Sequence, residues 1–179
     1  MERLDEIMIV AAGPGDSAAL ARVHVRAWRE TYVGLLPAAY LAQMNPATHA
    51  RRWRRLLMAS PSPEIVLAAE GRDGLVGYCA GHPRADGAMV EVSTLYLLRG
   101  VQKCGLGRRL LSAMARVFRD RGATSLILWV LNGNSAARGF YEHLGGLAVA
   151  ERTVQGWGGG LRETAYSWSD IDRLVAAGD

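Results

Sequence analysis

The chain has 179 residues, half of them apolar, and a formal net charge of +4 from 21 basic and 17 acidic residues. This length fits one domain with a sizeable core, and the composition argues against wholesale disorder. The two cysteines, Cys79 and Cys104, lack a metal-ligand spacing, and no apolar run approaches about 18 residues. We therefore expect a cytoplasmic protein without a disulfide framework, a metal site or a membrane span.

The N-terminal part of the chain combines one strand with three helical patterns. Residues 7–12 form a short apolar run that predicts a buried strand, and Asp16 is positioned to cap the helix that follows. In that helix, Leu20, Val23 and Ala27 recur at helical spacing. Two further helices are predicted over residues 38–44 and 48–60.

The rest of the chain alternates strands and helices. Three apolar runs separated by glycine-containing turns predict an antiparallel meander over residues 64–70, 74–82 and 88–98. A long amphipathic helix over residues 106–118 follows, then a buried strand, a short helix and two final strands over residues 125–134, 135–146, 147–154 and 162–168. The fold class is α/β (α+β), with a mixed sheet of about seven strands flanked by helices in one domain, 1–179.

A glycine turn, "VQKCGLGRRLL" over residues 101–111, opens the long helix. It is not a P-loop, because Leu106 and Gly107 occupy the Lys and Ser/Thr places. It is not a Rossmann turn, because Leu110 replaces the third glycine. The pattern is Q-x-x-G-x-G, whose backbone N–H groups and helix dipole favour a pyrophosphate. From this stretch alone, a phosphate-binding loop and a structural turn both stay open.

Two longer stretches resemble the GCN5-related N-acetyltransferase (GNAT) superfamily. They are "VEVSTLYLLRGVQKCGLGRRLL" over residues 90–111 and "LWVLNGNSAARGFYEHLGG" over residues 128–146. The second carries the recurrent N-x-x-A-x-x-F-Y-x-x-L-G pattern, and residues 21–41 are similar to the N-terminal helices of many bacterial members. The resemblance implies the acyl-CoA N-acyltransferase fold, with the sheet splayed between its fourth and fifth strands. It also implies acetyl-CoA as the cofactor.

The same resemblance implies a set of cofactor-binding residues. The backbone of the fourth strand would pair with the pantetheine arm at Leu95, Tyr96 and Leu97, as an added strand pairs with an edge. The pyrophosphate would lie on the loop residues Gln102, Lys103, Cys104, Gly105, Leu106, Gly107 and Arg108. Asn134 matches a position that hydrogen-bonds the cofactor, although it could instead cap the following helix.

Two residues are implied to be catalytic. Tyr141 matches the tyrosine that protonates the departing CoA thiolate, and the alternative is a tyrosine packed on the sheet. Glu91 matches a strand glutamate that acts as general base directly or through water, and the alternative is a glutamate in a surface salt bridge. A strict period of two would place Glu91 on the same face as Leu95 and Leu97.

The acceptor is the least defined partner. Trp28, Tyr32 and Trp157 are candidates for its pocket, although aromatic residues at such places also serve as core packing. The expected activity is N-acetyl transfer to a primary amine of a small molecule or a protein by direct attack in a ternary complex. A non-catalytic acyl-CoA sensor on the same fold is the alternative, and a homodimer is left open.

Nucleic acid is not an expected partner. The basic residues that could suggest it lie on one predicted helix around Trp53, where a solvated face explains them without any nucleic-acid motif. They are Arg51, Arg52, Arg54 and Arg55.

Overall fold

A computed structural model describes residues 6–62, 64–85, 87–154 and 160–178. The described strands are β1 (Met8–Ala11), β2 (Ile65–Gly71), β3 (Gly74–Pro83), β4 (Met89–Leu97), β5 (Ser125–Leu131), β6 (Leu147–Thr153) and β7 (Arg162–Trp168). The described helices are α1 (Ser17–Thr31), α2 (Ala38–Gln43), α3 (Pro46–Met58), α4 (Leu106–Arg119), α5 (Ser135–His143) and α6 (Ile171–Ala176). Among the described residues, none of these helices has the length and apolar character that crossing a membrane requires.

All seven strands join one mixed sheet in the order β1-β2-β3-β4-β5-β7-β6. β2, β3 and β4 form the predicted antiparallel meander, and β4 and β5 are parallel neighbours. The β4–β5 pairing runs only from Met89–Ser125 to Val92–Leu128. Beyond Val92, β4 stays paired with β3 but has no β5 partner in the described chain. The expected fold and its splay between the fourth and fifth strands are therefore confirmed.

A β-bulge interrupts β4 where the splay begins. The partners of β3 step from the pair Ala80–Thr94 directly to the pair Gly81–Val92, so that Ser93 is the extra residue. A bulge of this kind bends its strand and changes which face the later side chains occupy. Here it comes directly after Val92, the last residue that β4 pairs with β5.

The bulge overturns one expectation about β4. Val90 and Val92 are buried in the core under α4, and Leu95 and Leu97 pack against that same core. Glu91 therefore does not share a face with the two leucines, because the extra residue reverses the alternation between them. A strict period of two holds only for an unbroken ladder.

Hydrophobic cores cover both faces of the sheet. On one face, α4 contributes the buried stripe that its periodicity predicts, and α6 packs against α4. On the other face, α1 and α3 cover β2 and β3, with Leu20, Trp53 and Tyr78 buried between them. The buried residues of the α4 stripe are Leu106, Leu110, Leu111, Met114 and Phe118.

Two local features differ from the sequence-based expectation. The Asp16 side chain makes no capping hydrogen bond to α1, because its carboxylate accepts one from the Gly13 amide at 2.8 Å. The sequence patterns also do not predict α6. That helix begins where the Asp170 side chain accepts a hydrogen bond from the amide of Asp172, and a short helix of this length is hard to distinguish from a loop by periodicity.

Candidate functional site

The glycine turn delivers unsatisfied amide groups to the edge of the splay. Gly105 has a φ of +91° and Lys103 a φ of +60°, so the chain makes two left-handed steps before α4 begins at Leu106. No described side chain caps the start of α4. The N–H groups of its first turn are therefore available to an anion, which the helix dipole also favours.

Two side-chain hydrogen bonds hold this turn in place. Gln102 Nε2 donates to the carbonyl oxygen of Leu97 at 3.0 Å, and Cys104 Sγ donates to the carbonyl oxygen of Val101 at 3.0 Å. The first bond ties the loop to the end of β4. The Gln102 side chain thus positions the turn on the strand, which leaves the anion to the backbone.

Gly107 brings the two sequence motifs together. A Cβ at this position would lie 3.3 Å from Cζ of Phe140 and 3.5 Å from Cδ1 of Leu97. Because the contact with Phe140 would be tight, the absence of a side chain lets α4 approach α5 closely. The second glycine of the motif therefore serves helix packing.

Positive charge surrounds the turn. Lys103 and Arg108 are exposed, and the first turn of α4 contains no acidic residue. Arg109 instead turns back along the chain, where its Nη2 donates to the carbonyl oxygen of Ile7 at 3.2 Å. The charges available to an incoming phosphate are thus those of Lys103 and Arg108.

Tyr141 lies on α5 and is 7% exposed. Its ring packs against Phe140 and Trp168, with centroids 5.2 and 6.2 Å away. Burial raises the pKa of the Tyr141 phenol above its usual range, and the nearby Cys79 and Tyr32 add to this shift. The phenol therefore keeps its proton near neutral pH, and its role as the acid stays a prediction.

Asn134 is the N-cap of α5. Its Oδ1 accepts a hydrogen bond from the Ala137 amide at 3.1 Å, so the capping role that the sequence left open is confirmed. Its contact with a cofactor stays a prediction.

A cavity of about 230 Å³ opens beside the splayed part of β4. Trp28 and Tyr32, which the sequence singles out for the acceptor pocket, both line it. Trp157 lies outside the described residues. The remaining lining comes from four strands and the segment after α1, and consists of Leu36, Glu91, Val92, Ser93, Thr94, Tyr96, Trp129, Leu131, Arg152 and Glu163.

One wall of the cavity is aromatic. The Trp28 and Tyr32 rings meet edge to face at 4.9 Å, and the hydroxyls of Tyr32 and Tyr96 are hydrogen-bonded at 3.0 Å. From the sequence, Tyr96 was expected to act only through its backbone. The structure adds its side chain to the wall, because the bulge at Ser93 turns it to this face.

A half-buried histidine, His24, contacts this wall. His24 Nδ1 lies 2.6 Å from the Tyr78 hydroxyl. Burial, together with smaller contributions from the charges of His49 and Arg52, lowers the pKa of His24 to about 3. Since burial also raises the pKa of Tyr78, the phenol donates to a neutral imidazole at physiological pH.

The opposite wall was not predicted from the sequence. The guanidinium carbon of Arg152 lies 3.9 Å from the centre of the Trp129 ring, and Arg152 Nε donates to the Glu163 carboxylate. These residues come from β5, β6 and β7. Their only sequence signal is a place in strands, which many non-functional residues share.

Glu91 lines the cavity and also makes a salt bridge. Its Oε2 accepts from Arg84 Nη1 at 3.0 Å. The salt bridge expected as the alternative role of Glu91 is therefore present, and the Glu91 carboxylate still lines the cavity. A role as base stays a prediction.

No group of three or more metal-ligating side chains comes together in the described parts of the chain.

A splayed parallel pair next to a glycine turn defines the fold of the acyl-CoA N-acyltransferases. Among solved structures, PaiA N-acetyltransferase from Thermoplasma acidophilum, in complex with coenzyme A, has a TM-score of 0.76 at 20% identity, covering 90% of this chain and 97% of that one. YncA from Salmonella typhimurium, solved with its cofactor acetyl-CoA, has a TM-score of 0.65 at 22% identity, with coverages of 93% and 94%.

Sequence comparison identifies the family. The profile of the acetyltransferase (GNAT) family matches residues 25–146. The uncharacterized N-acetyltransferase YuaI of Bacillus subtilis is 31% identical over 159 residues, covering 87% of this chain and 88% of YuaI. The probable N-acetyltransferase Rv2775 of Mycobacterium tuberculosis is 27% identical over 165 residues, covering 84% of this chain and 87% of Rv2775. The chain therefore belongs to the GNAT acetyltransferase family.

Family membership confirms the expected class of enzyme, an N-acetyltransferase that uses acetyl-CoA. The alternative of a non-catalytic sensor finds no support among these relatives, both of which are named as N-acetyltransferases.

Proposed function

We propose that this enzyme transfers the acetyl group of acetyl-CoA to the primary amine of a small cationic molecule, by direct attack in a ternary complex. One observation carries the proposal. The splay beyond the Val92–Leu128 pair connects the glycine turn on one side with the aromatic and acidic cavity on the other. Two substrates entering from opposite sides would meet at the unpaired part of β4, and holding them together supplies much of the rate gain.

The donor binds to backbone groups in this proposal. The part of β4 that lacks a β5 partner, over Leu95, Tyr96 and Leu97, offers the backbone groups on its free edge to the pantetheine arm, as an edge strand does. The pyrophosphate lies on the amides of the turn from Gln102 to Arg108. The coenzyme A and acetyl-CoA present in the PaiA and YncA structures support this assignment.

Three groups then act in the transfer. Backbone N–H groups near Leu95 and Leu97 stabilise the oxyanion that forms when the amine attacks the thioester. Tyr141 holds its proton at neutral pH and donates it to the departing sulfur. Glu91 attracts the acceptor ammonium into the cavity and holds it for attack.

The acceptor is a small amine because the cavity measures only about 230 Å³. The aromatic residues Trp28, Tyr32 and Tyr96 line the cavity, and aromatic rings attract cations. Glu91 and Glu163 add carboxylates. An ammonium group attached to a compact apolar skeleton satisfies both features.

A CoA-release assay tests the proposal. Purified enzyme is given acetyl-CoA with a panel of amines, including phenethylamine, putrescine and free amino acids, and acetyl-CoA binding is measured by calorimetry in parallel. We expect acetyl-CoA to bind without an amine, and a cationic amine with an apolar skeleton to give the highest kcat/KM. Failure of acetyl-CoA to bind would reject the donor site. Preference for amino acids would reject the acceptor class.

A further inference from the structure

The bulge residue Ser93 joins the cavity to a second carboxylate. Ser93 is exposed and lines the cavity, and its hydroxyl Oγ lies 2.6 Å from Glu64 Oε1 and 3.2 Å from the carbonyl oxygen of Ala80. Glu64 immediately precedes β2 and lies outside the cavity lining. A hydroxyl group on the cavity surface is thus directly hydrogen-bonded to a carboxylate behind it.

The hydrogen-bonding capacity of a hydroxyl gives this pair a direction. Ser93 has one proton to donate, and the short contact assigns that proton to Glu64. The lone pairs of Oγ are then left to accept a proton from a group in the cavity. Ser93 can accept a proton from the cavity because the bulge places it at the start of the splay, directly after Val92 of the last β4–β5 pair, Val92–Leu128.

We propose that Ser93 relays the proton of the acceptor ammonium to Glu64, an inference that rests on the proposed acetyl transfer. The ammonium N–H bond breaks and its proton bonds to Ser93 Oγ, while the original hydroxyl proton passes to Glu64 Oε1. The amine becomes neutral and nucleophilic, the serine is regenerated, and the carboxylate becomes a carboxylic acid. Ser93 would thus be a catalytic residue, with Glu64 acting through it.

The surroundings of Glu64 provide an onward route to solvent. His82 Nδ1 lies 3.5 Å from the same Oε1, and its side chain is 36% exposed. Among the described residues this nitrogen has no hydrogen-bond partner, so a small rotation of the Glu64 carboxyl group would bring the two groups within hydrogen-bond distance. The salt bridge of Arg84 with Glu91 is adjacent, because His82 pairs with Glu91 across the ladder. On the inner side, Tyr78 and Cys79 feel the charge of Glu64.

This route is separate from Glu91. The Glu91 carboxylate already accepts a hydrogen bond from Arg84, and it faces the cavity without an intermediary. Loss of Glu91 should therefore weaken attraction of the ammonium and raise the KM of the amine. Loss of Ser93 or Glu64 should instead lower kcat.

The test measures pH–rate profiles of Ser93→Ala and Glu64→Gln with phenethylamine, or with the panel amine of highest kcat/KM if that differs. We expect each variant to lower kcat about 30-fold near pH 7, with acetyl-CoA affinity unchanged. The defect should shrink to about threefold near pH 9.5, because more of the amine then arrives already neutral. The double variant should lose no more than either single one, since both act in one relay.

Two further variants separate chemistry from folding. Ser93→Thr keeps a hydroxyl and should therefore retain most of the wild-type rate. If Ser93 served only to form the bulge, the threonine variant would have no such advantage over the alanine variant. Ser62→Ala is the matched control, because Ser62 Oγ donates to the Glu64 carbonyl oxygen at 2.7 Å and is absent from the cavity lining. It should leave the profile unchanged.

The outcomes distinguish the two proposals. If wild-type enzyme neither binds acetyl-CoA nor releases CoA with any amine, the proposed function fails and the relay with it. If wild-type enzyme is active and Ser93→Ala keeps its rate, or loses the same factor at every pH, the relay alone is rejected. The relay would also be rejected if the loss of kcat in the double variant equalled the product of the losses in the two single variants.

Discussion

The donor and acceptor sides of the splay are built from different parts of the chain. On the donor side, the groups proposed to meet the ligand are backbone amides from one continuous stretch, 95–108, in which Gln102 donates to Leu97 and Gly107 packs against Phe140. On the acceptor side, the cavity is made of side chains from α1, β4, β5, β6 and β7. A site made of backbone leaves a short motif in the sequence, whereas a site made of scattered side chains leaves almost none.

The two sides should therefore respond differently to substitution. Truncating one side chain should matter little on the donor side unless it carries charge or a proton. On the acceptor side, a single ring or carboxylate should change recognition of the amine without affecting acetyl-CoA.

The largest effect is expected from reversing the charges at the glycine turn. The double variant Lys103→Glu, Arg108→Glu should weaken acetyl-CoA binding about 1,000-fold, because two negative side chains would face the pyrophosphate near the amides. Calorimetry measures the change. The double variant Arg54→Glu, Arg55→Glu on α3 makes the same change in net charge at exposed positions, and its affinity should stay within about threefold. An equal loss in both variants would mean that only net charge matters.

Removing the proposed acid should separate turnover from binding. Tyr141→Phe should lower kcat about 100-fold and change the acetyl-CoA Kd by no more than about twofold, because the phenol acts only on the departing sulfur. The control is Tyr166→Phe, whose ring centroid lies 6.0 Å away and whose hydroxyl bonds to Arg138 and Glu142. That change should reduce thermal stability while kcat remains near wild type. Similar kcat losses in both would remove the acid role.

The acceptor side should also be the acid-sensitive one. The pKa of His24 is about 3 in the folded chain against 6.5 for an unperturbed histidine, so the unfolded chain binds a proton between these values that the folded chain does not. The contribution of His24 to the free energy of unfolding is therefore fully present above about pH 6.5 and is lost as the pH falls toward 3. The loss between pH 7 and 4.5 is about 2 kcal/mol.

His24→Gln tests this because glutamine still accepts a hydrogen bond from Tyr78 but does not titrate. Urea unfolding at the two pH values should show a loss about 2 kcal/mol smaller than in the wild type. Exposed His143→Gln on α5 is the control and should follow the wild-type loss. If the free energy of unfolding of His24→Gln fell with pH as much as that of the wild type, the acid sensitivity would come from groups other than His24.

The smallest effect is expected in the cavity wall. Trp129→Leu removes the ring on which Arg152 stacks, and should raise the KM of the amine about 10-fold while the acetyl-CoA Kd stays unchanged. Trp53→Leu alters a buried ring between α1 and α3 and should lower stability without a specific effect on that KM. A change in acetyl-CoA affinity in Trp129→Leu would contradict the division between the two sides.

Much of the fold was predictable because its signals are local. Glycine-bounded apolar runs predicted the meander, and the apolar stripe of α4 predicted a helix that is buried along that stripe. The bulge at Ser93 was not predictable, since an extra residue in a ladder leaves no mark in a strand of alternating apolar residues. It reversed the faces of Leu95, Tyr96 and Leu97 relative to Glu91, and that reversal brought Tyr96 into the cavity.

The sequence by itself determined the glycine turn, because its contiguous residues report backbone geometry through their spacing. Two motifs in the sequence resemble a known family, and that resemblance implied the splayed sheet. Only the tertiary structure decided what faces the acceptor. Trp129, Arg152 and Glu163 lie on three strands, and Ser93 meets Glu64 across a distance of 29 positions in the chain. Side chains so far apart come together only through sheet order and register, which no local pattern encodes.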